Sequence, residues 1–527
     1  MLEKQLCCCD WPQAQHLDRS SRASLSTGRA RWFSPAIHTP PGPAFTKMRP
    51  KYLASVLLFA IIALIALCDA CSTPAQLKAN IDAFLANNEA TLGRTTPGIY
   101  VQQRNASTQG WSDLYTLRHQ EYHTPASNNK VLTTAAVMTA LGPDYTILTR
   151  ILGSGSTSAE STVCVRGSGD PSMSYQKLQA AAEKLSSRGL QHIRTLVIDD
   201  TLYTPPFPHG WQWEDLPYYY GAQPSSFVLN ENVMSIRVQP NGKVGDPLVV
   251  SYTNPTDKSL NLVRTHLSTT SAAGTSPTVD VSWRIGLPYI YLVGSMPLGS
   301  APTTISAAVV NPTERFSAML IAAFQKAGIN VGDVIRGDCR KSGLSELVSI
   351  PSDPLGSMVN HTLQVSDNLM AEIWSRHLGS IQGGSGDATT DGVAAVSDIL
   401  SRKLGVDPSS FRQTDGSGMD YANLVSPWAL VNVLKAMGNG PYASIYKSYL
   451  PNSYPGGMLY SRFIGTPAVG RVFAKTGYVS VVSSLSGWVD DDKLFSILLD
   501  QSPTPGSVRT RLIAQIVVMI ADLCPMQ

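Results

Sequence analysis

Charge and histidine are both scarce in this chain, and each scarcity removes a class of function. Only 15% of the 527 residues are charged, and their formal balance is +3. So even a balance carries no basic footprint for nucleic acid, and no such partner is expected. The nine histidines are scattered and H-E-x-x-H does not occur. From Cys71 onward there is no C-x-x-C either, which leaves no metal-ligand set and calls for no cofactor. A G-x-S-x-G elbow is missing too, excluding a hydrolase built on that turn. Internal repeats are not evident.

Long apolar runs are nearly absent. The exception at the N-terminus, Tyr52 to Leu67, is short against the ~20 residues that span a bilayer. It follows the basic stub Met48-Arg49-Pro50-Lys51 and precedes Cys68-Asp69-Ala70, small residues at the positions that favour a cut before Cys71. Residues 48–70 therefore read as a secretory signal peptide, and an exported product is expected. Under the rival reading, an uncleaved anchor, this leader is the chain's only tie to a membrane. A lipid-modified Cys71 fits less well, because Leu67 sits one place too far back. Residues 1–47 precede a leader that should open the chain, so they read as an extension of doubtful reality, with translation starting at Met48. Beyond the leader stand Cys71, Cys164, Cys339 and Cys524, enough for a disulfide or two.

What is there is a globular composition, 43% hydrophobic, on a chain too long for one ordinary domain. Ala75 to Ala90 has helical spacing, Gly98-Ile99-Tyr100-Val101 and Trp111 to Leu117 read as strands, and Lys130 to Leu141 as a helix stopped by Gly142-Pro143. From about Leu152 to Ile350 the texture becomes β-rich, with short runs such as Thr162–Val165 and Leu196–Ile198 between Gly and Ser turns. The last third returns to mixed α and β. Ser366 opens a helix, Gly470 to Ala474 leads as a strand into Lys475, a hairpin turns at 490–493, and Leu512 to Leu523 closes the chain as an apolar helix.

Three fragments stand in one order: Ser127-Asn128-Asn129-Lys130, Ser366-Asp367-Asn368 and Lys475-Thr476-Gly477. A serine hydroxyl is a weak nucleophile until a neighbouring base takes its proton. On a helix, i and i+3 share a face, which places Lys130 beside Ser127. Lysine becomes a base when burial and nearby positive charge lower its pKa, and Lys475 is the natural second cation. Ser366 is the candidate proton relay to a leaving amine, and Asn368 the candidate ligand for a substrate amide. Lys475 and Thr476 are candidates for a substrate carboxylate, and Gly477 clears space on the strand. The backbone N–H groups of Ser127 and Tyr478 are the candidate oxyanion hole.

Each fragment has a plainer reading as a helix cap, a solvated lysine or a strand end. Decoys such as Ser174-Tyr175-Gln176-Lys177 and Lys341-Ser342-Gly343 show how little one match carries. Order and context carry more. The chain resembles the class C, low-molecular-mass penicillin-binding proteins, the D-alanyl-D-alanine carboxypeptidase/endopeptidase family. The resemblance extends to Thr124-Pro125-Ala126 before the nucleophile, Leu369-Met370-Ala371-Glu372 after the second fragment, and Asp415-Gly416-Ser417-Gly418.

It implies a transpeptidase or serine β-lactamase-like α/β (α+β) domain, an antiparallel sheet flanked by helices, with a β-rich two-domain insertion. The expected layout is 72–150 and 351–527 for the catalytic domain, 151–225 and 305–350 for an inserted domain, and 226–304 nested within it. It also implies acyl-enzyme chemistry on peptides ending in D-Ala-D-Ala, and β-lactams as covalent inhibitors. Gly167-Ser168-Gly169-Asp170-Pro171 resembles a family segment whose aspartate contacts the substrate's side chain, which nominates Asp170. Tyr478 departs from the small residue usual after the third fragment, and bears on substrate preference. The alternatives are a β-lactamase, whose deacylating carboxylate is unassigned between Glu372 and Asp415, an esterase or amidase, and a non-catalytic scaffold.

Overall fold

A computed structural model describes residues 71–154, 159–252, 263–270, 276–284, 286–340 and 343–526. The leader read at 48–70 and the extension at 1–47 lie outside them. At its centre is an antiparallel sheet in the order Val472–Val479, Val482–Val489, Lys493–Asp500, Thr96–Arg104, Trp111–Leu117. Strand alternation sends successive side chains to two different cores. Tyr100, Leu494 and Leu498 face a helical layer that includes Asn129–Leu141, Asn368–Ile381, Ala388–Leu404 and Pro427–Asn439. Ile99, Val101, Phe495 and Ile497 face the helices Pro74–Asn87 and Gly506–Ala521. Cys71–Cys524 ties the segment before Pro74–Asn87 to the segment after Gly506–Ala521, and Cys164–Cys339 is also formed.

The helix Asn129–Leu141 is buried on every side from Asn129 to Met138, as expected of an element at the centre of a domain. Gly142 ends it with φ 78°, a conformation glycine adopts without strain. Between this helix and Leu355–Gln364 lies the insertion. A mixed five-stranded sheet in the order Asn330–Arg336, His192–Asp199, Ala159–Arg166, Leu148–Gly153, Ser345–Pro351 packs on Tyr175–Ser187 and Pro312–Lys326. Two further three-stranded sheets share one small core that includes Ile236, Leu267 and Ile290. The insertion is β-rich as expected, and two amphipathic helices cover its largest sheet. Among the described residues no helix is long and apolar enough to cross a membrane.

Two local expectations shift. The helix after the second fragment begins at Asn368 and not at Ser366: Asp367 is its cap, its Oδ1 accepting from the Met370 N–H at 2.7 Å. Ser366 itself stands at φ 62°, a left-handed conformation that costs a non-glycine residue roughly 1–2 kcal/mol. Likewise Ser127 lies in a 3-10 turn, Ala126–Asn128, two residues ahead of the first residue of its helix, and Ala126 is held at φ 49°. Both serines sit on strained turns, a form of stored strain that gathers at functional sites.

Candidate active site

The turn carrying Ser127 is gripped from two sides. The Ser484 hydroxyl accepts from Asn128 Nδ2 at 2.6 Å and donates to the Pro125 carbonyl at 2.8 Å. On the sheet side, a Cβ on Gly477 would stand 2.2 Å from Ser484 Oγ and 2.7 Å from the Pro125 carbonyl. On the other side, Gly418 at φ 88° would meet the Ala126 carbonyl at 2.0 Å. Gly477 was expected to clear room for substrate; what fills that space is the nucleophile turn itself. The strand Val472–Val479 is an edge of the sheet; the 451–453 segment bonds its Val472 and Ala474 backbone groups, which leaves the end from Thr476 onward as the part of the edge available to an added chain.

Lys130 Nζ lies 3.0 Å from Ser127 Oγ, 2.5 Å from Asn368 Oδ1 and 2.7 Å from the Ser417 carbonyl. An amine bonded to two fixed acceptors keeps one direction, and here it points at the serine. A second serine–lysine pair stands opposite: Lys475 Nζ donates to Ser366 Oγ at 2.9 Å and to the Thr476 carbonyl at 2.8 Å. Both lysines are fully buried, whereas Ser127, Ser366 and Asn368 are half-buried. Burial pulls the Lys130 ammonium down to about 8, against the opposing charges of Asp415, Asp367 and Glu372. Burial lowers Lys475 further, helped by the positive charges of Lys130 and Arg462.

Asn368 is less free than expected, because its Nδ2 donates to the Tyr220 carbonyl at 2.8 Å. Thr476 is half-buried on the open edge. The Tyr478 side chain, 46% exposed, leans on the closing helix: its ring approaches Gly506, and the Arg509 guanidinium lies 5.8 Å from its centroid. Alternation puts it on the strand face opposite Lys475 and Gly477. Asp170 is buried, its Oδ1 accepting from the Ser172 N–H and hydroxyl at 2.8 and 2.6 Å, and burial raises its pKa. The structure brings the three fragments together.

Sequence reasoning missed the frame behind Lys130. Asp415 accepts from Trp211 Nε1 at 3.0 Å, from the Gly418 and Asp420 N–H groups at 2.7 and 2.9 Å, and from Asn423 Nδ2 at 2.9 Å. Asn129 reaches the same loop, donating to the Asp415 carbonyl at 2.8 Å. The aromatic run from Trp211 to Tyr220 was the available signal. Beside the second fragment, Glu231, His361 and Asp367 bring three potential ligand atoms within 4.8 Å of one another. His361 Nε2 lies 3.3 Å from Glu231 and 3.7 Å from Asp367. Those carboxylates raise the imidazole to about 10, so the group already holds a cation of its own. Glu231 and His361 also line a cavity of about 740 Å³.

Known proteins resemble this chain in sequence and in fold. The chain is 29% identical to penicillin-sensitive carboxypeptidase A of Dictyostelium discoideum, over 80% of this chain and 86% of that one. It is 29% identical to a D-alanyl-D-alanine carboxypeptidase of an Actinomadura species, over 82% and 83%. Its fold matches penicillin binding protein 4 of Haemophilus influenzae with a TM-score of 0.72 at 20% identity, over 83% of this chain and 99% of that one. The sequence profile of the D-Ala-D-Ala carboxypeptidase 3 (S13) family matches residues 77–523, and the chain belongs to that family.

Proposed function

We propose that the protein is an exported serine-type D-Ala-D-Ala carboxypeptidase that also opens peptide cross-links of the same chemistry, and that β-lactams acylate it. The observation that carries this reading is the Ser127–Lys130 contact, with the other two Lys130 bonds already committed to Asn368 and Ser417. Neutral Lys130 takes the Ser127 proton as Oγ attacks the carbonyl carbon of the penultimate D-alanine. The resulting oxyanion is received by the Ser127 and Tyr478 backbone N–H groups. As the C–N bond breaks, Ser366 passes its proton to the departing amine and is reprotonated from the lysines beside it. Water then attacks the ester on Ser127 by the same route in reverse, releasing the shortened peptide and restoring the serine.

A β-lactam differs in one respect: its expelled amine stays tethered, so the ester persists. Support for slow release comes from the carboxyls. Glu372 and Asp415 both bond within the 415–423 loop, and among the described residues neither hydrogen-bonds Ser127. That favours the peptidase over a β-lactamase. Residues 72–150 and 351–527 form the catalytic domain in this reading, with 151–225 and 305–350 as the inserted domain and 226–304 nested in it. Asp170 keeps its nomination for the substrate's side chain through Oδ2, which has no hydrogen-bond partner among the described residues, while Ser172 holds Oδ1.

Intact-mass measurement with penicillin tests the reading. Wild type is expected to gain one stable adduct, and Ser127→Ala none. Rapid turnover without an adduct would point to a β-lactamase, and an inert wild type to a scaffold.

A further inference from the structure

One buried acid in the cleft has no part in the chemistry just described. Glu372 lies one helical turn after Asn368, on the same face of Asn368–Ile381. It is wholly buried, and its Oε1 accepts from the Ser417 N–H at 2.8 Å. The carbonyl of that same Ser417 accepts from Lys130 Nζ. Two of the three Lys130 partners therefore hang from one helix face: Asn368 directly, and the Ser417 carbonyl through Glu372.

The second oxygen of Glu372 differs from those of its neighbour. Oε2 is buried and has no hydrogen-bond partner among the described residues, whereas Asp415 collects donors on both oxygens. A carboxylate charge on an oxygen with no donor is expensive to bury, so the site favours the protonated acid. The charged groups around Glu372 are Arg376 on its own helix, Asp415 on the facing loop and Lys130 on the nucleophile helix. Arg376 in turn faces Tyr203 and Asp387.

We propose, resting on the reading of Lys130 as the base, that Glu372 is a positioning residue for that lysine. By holding the Ser417 N–H it aims the Ser417 carbonyl at Nζ, and its own protonation state sets the pH at which Lys130 becomes neutral. Burial first, and then the charge of Asp415, lift the Glu372 acid to about 8, into the range where Lys130 itself titrates. The two groups thus exchange influence over one proton: a charged Glu372 makes Lys130 hold its proton more tightly.

The test is a titration of the lysine 13Cε resonance of Lys130, assigned by its loss in Lys130→Arg. Glu372→Gln keeps the acceptor for Ser417 and removes the charge. Its Lys130 midpoint should fall by up to about one pH unit, and penicillin acylation near pH 8, where wild-type Glu372 ionises, should rise toward its plateau by up to ~10-fold. Glu372→Ala also loses the acceptor, and should lower the plateau rate itself by ~10–100-fold. Should the variants not fold, wild type alone decides, because two coupled groups give a curve shallower than a single-proton titration. A single-site wild-type curve, or a Glu372→Gln midpoint that stays put or rises at unchanged Tm, overturns the proposal. Because the resonance reads Lys130 without any reaction, that result is distinct from a wild type that penicillin fails to acylate, which would sink the functional reading instead.

Discussion

The cleft and the junction around His361 both take charge out of water, and they treat it in opposite ways. In the cleft, Lys130 meets a hydroxyl, an amide and a carbonyl at bonding distance, all neutral dipoles. Burial then wins, and the lysine falls to about 8. At the junction, His361 meets two carboxylates, and the imidazole rises to about 10. A titration brought into the working pH range makes a reagent, whereas one pushed out of it makes a fixed tie. Asp367 belongs to both settings: its backbone follows the relay serine, and its carboxylate caps a helix and faces His361.

The comparison can be broken most severely at Lys130. Lys130→Arg preserves positive charge but supplies no neutral form, since guanidinium does not deprotonate in proteins. Penicillin acylation should drop by ~10²–10⁴-fold and stay low at every pH in stopped-flow or gel labelling. Recovery at alkaline pH would show that Lys130 is not the base. A smaller loss is expected from Gly477→Ala, which drives a methyl into Ser484 and Pro125. Displacing the Ser127 turn by that much should slow acylation by ~100-fold and cost about 1–3 kcal/mol of stability. A crystal structure of this variant with the turn unmoved would contradict the packing role given to the glycine.

The smallest effect belongs to the junction. The folded His361 pKa is raised above its unfolded value, so its contribution is fully present below about pH 6.5 and disappears as pH climbs through about 10. Side chains on both sides are about 40% exposed, and screening leaves about 1 kcal/mol or less. His361→Gln should therefore lower the urea midpoint near neutral pH and match wild type at strongly alkaline pH. A deficit independent of pH would assign His361 to packing and not to charge.

How legible this was depended on the kind of contact. Ser127 and Lys130 could be paired from helical periodicity alone, and Lys475 from a strand pattern with a glycine two residues on. The central sheet was visible as short apolar runs at 98–101, 484–489 and 494–499, because each of its faces meets a core. The partners of Lys130 were harder to read. One of them is a backbone carbonyl, Ser417, which any residue type would supply, and Glu372 carries no mark of its burial in the sequence. The cap at Asp367 was misplaced by one residue because serine and aspartate both cap helices well, and only the turn's left-handed backbone distinguishes them. Asp170 was nominated by resemblance, and its partner Ser172 sits two residues away, where nearness in the chain says nothing of the cleft.

The account turns on a buried amine that is neutral when it meets the serine. The pH dependence of wild-type penicillin acylation reads this directly, as a second-order rate constant over the range in which the fold is stable. The rate should climb with pH and level off, with its midpoint near the value of about 8 to which burial brings Lys130. A rate that is flat across that range, or one that falls as the lysine loses its proton, would contradict it.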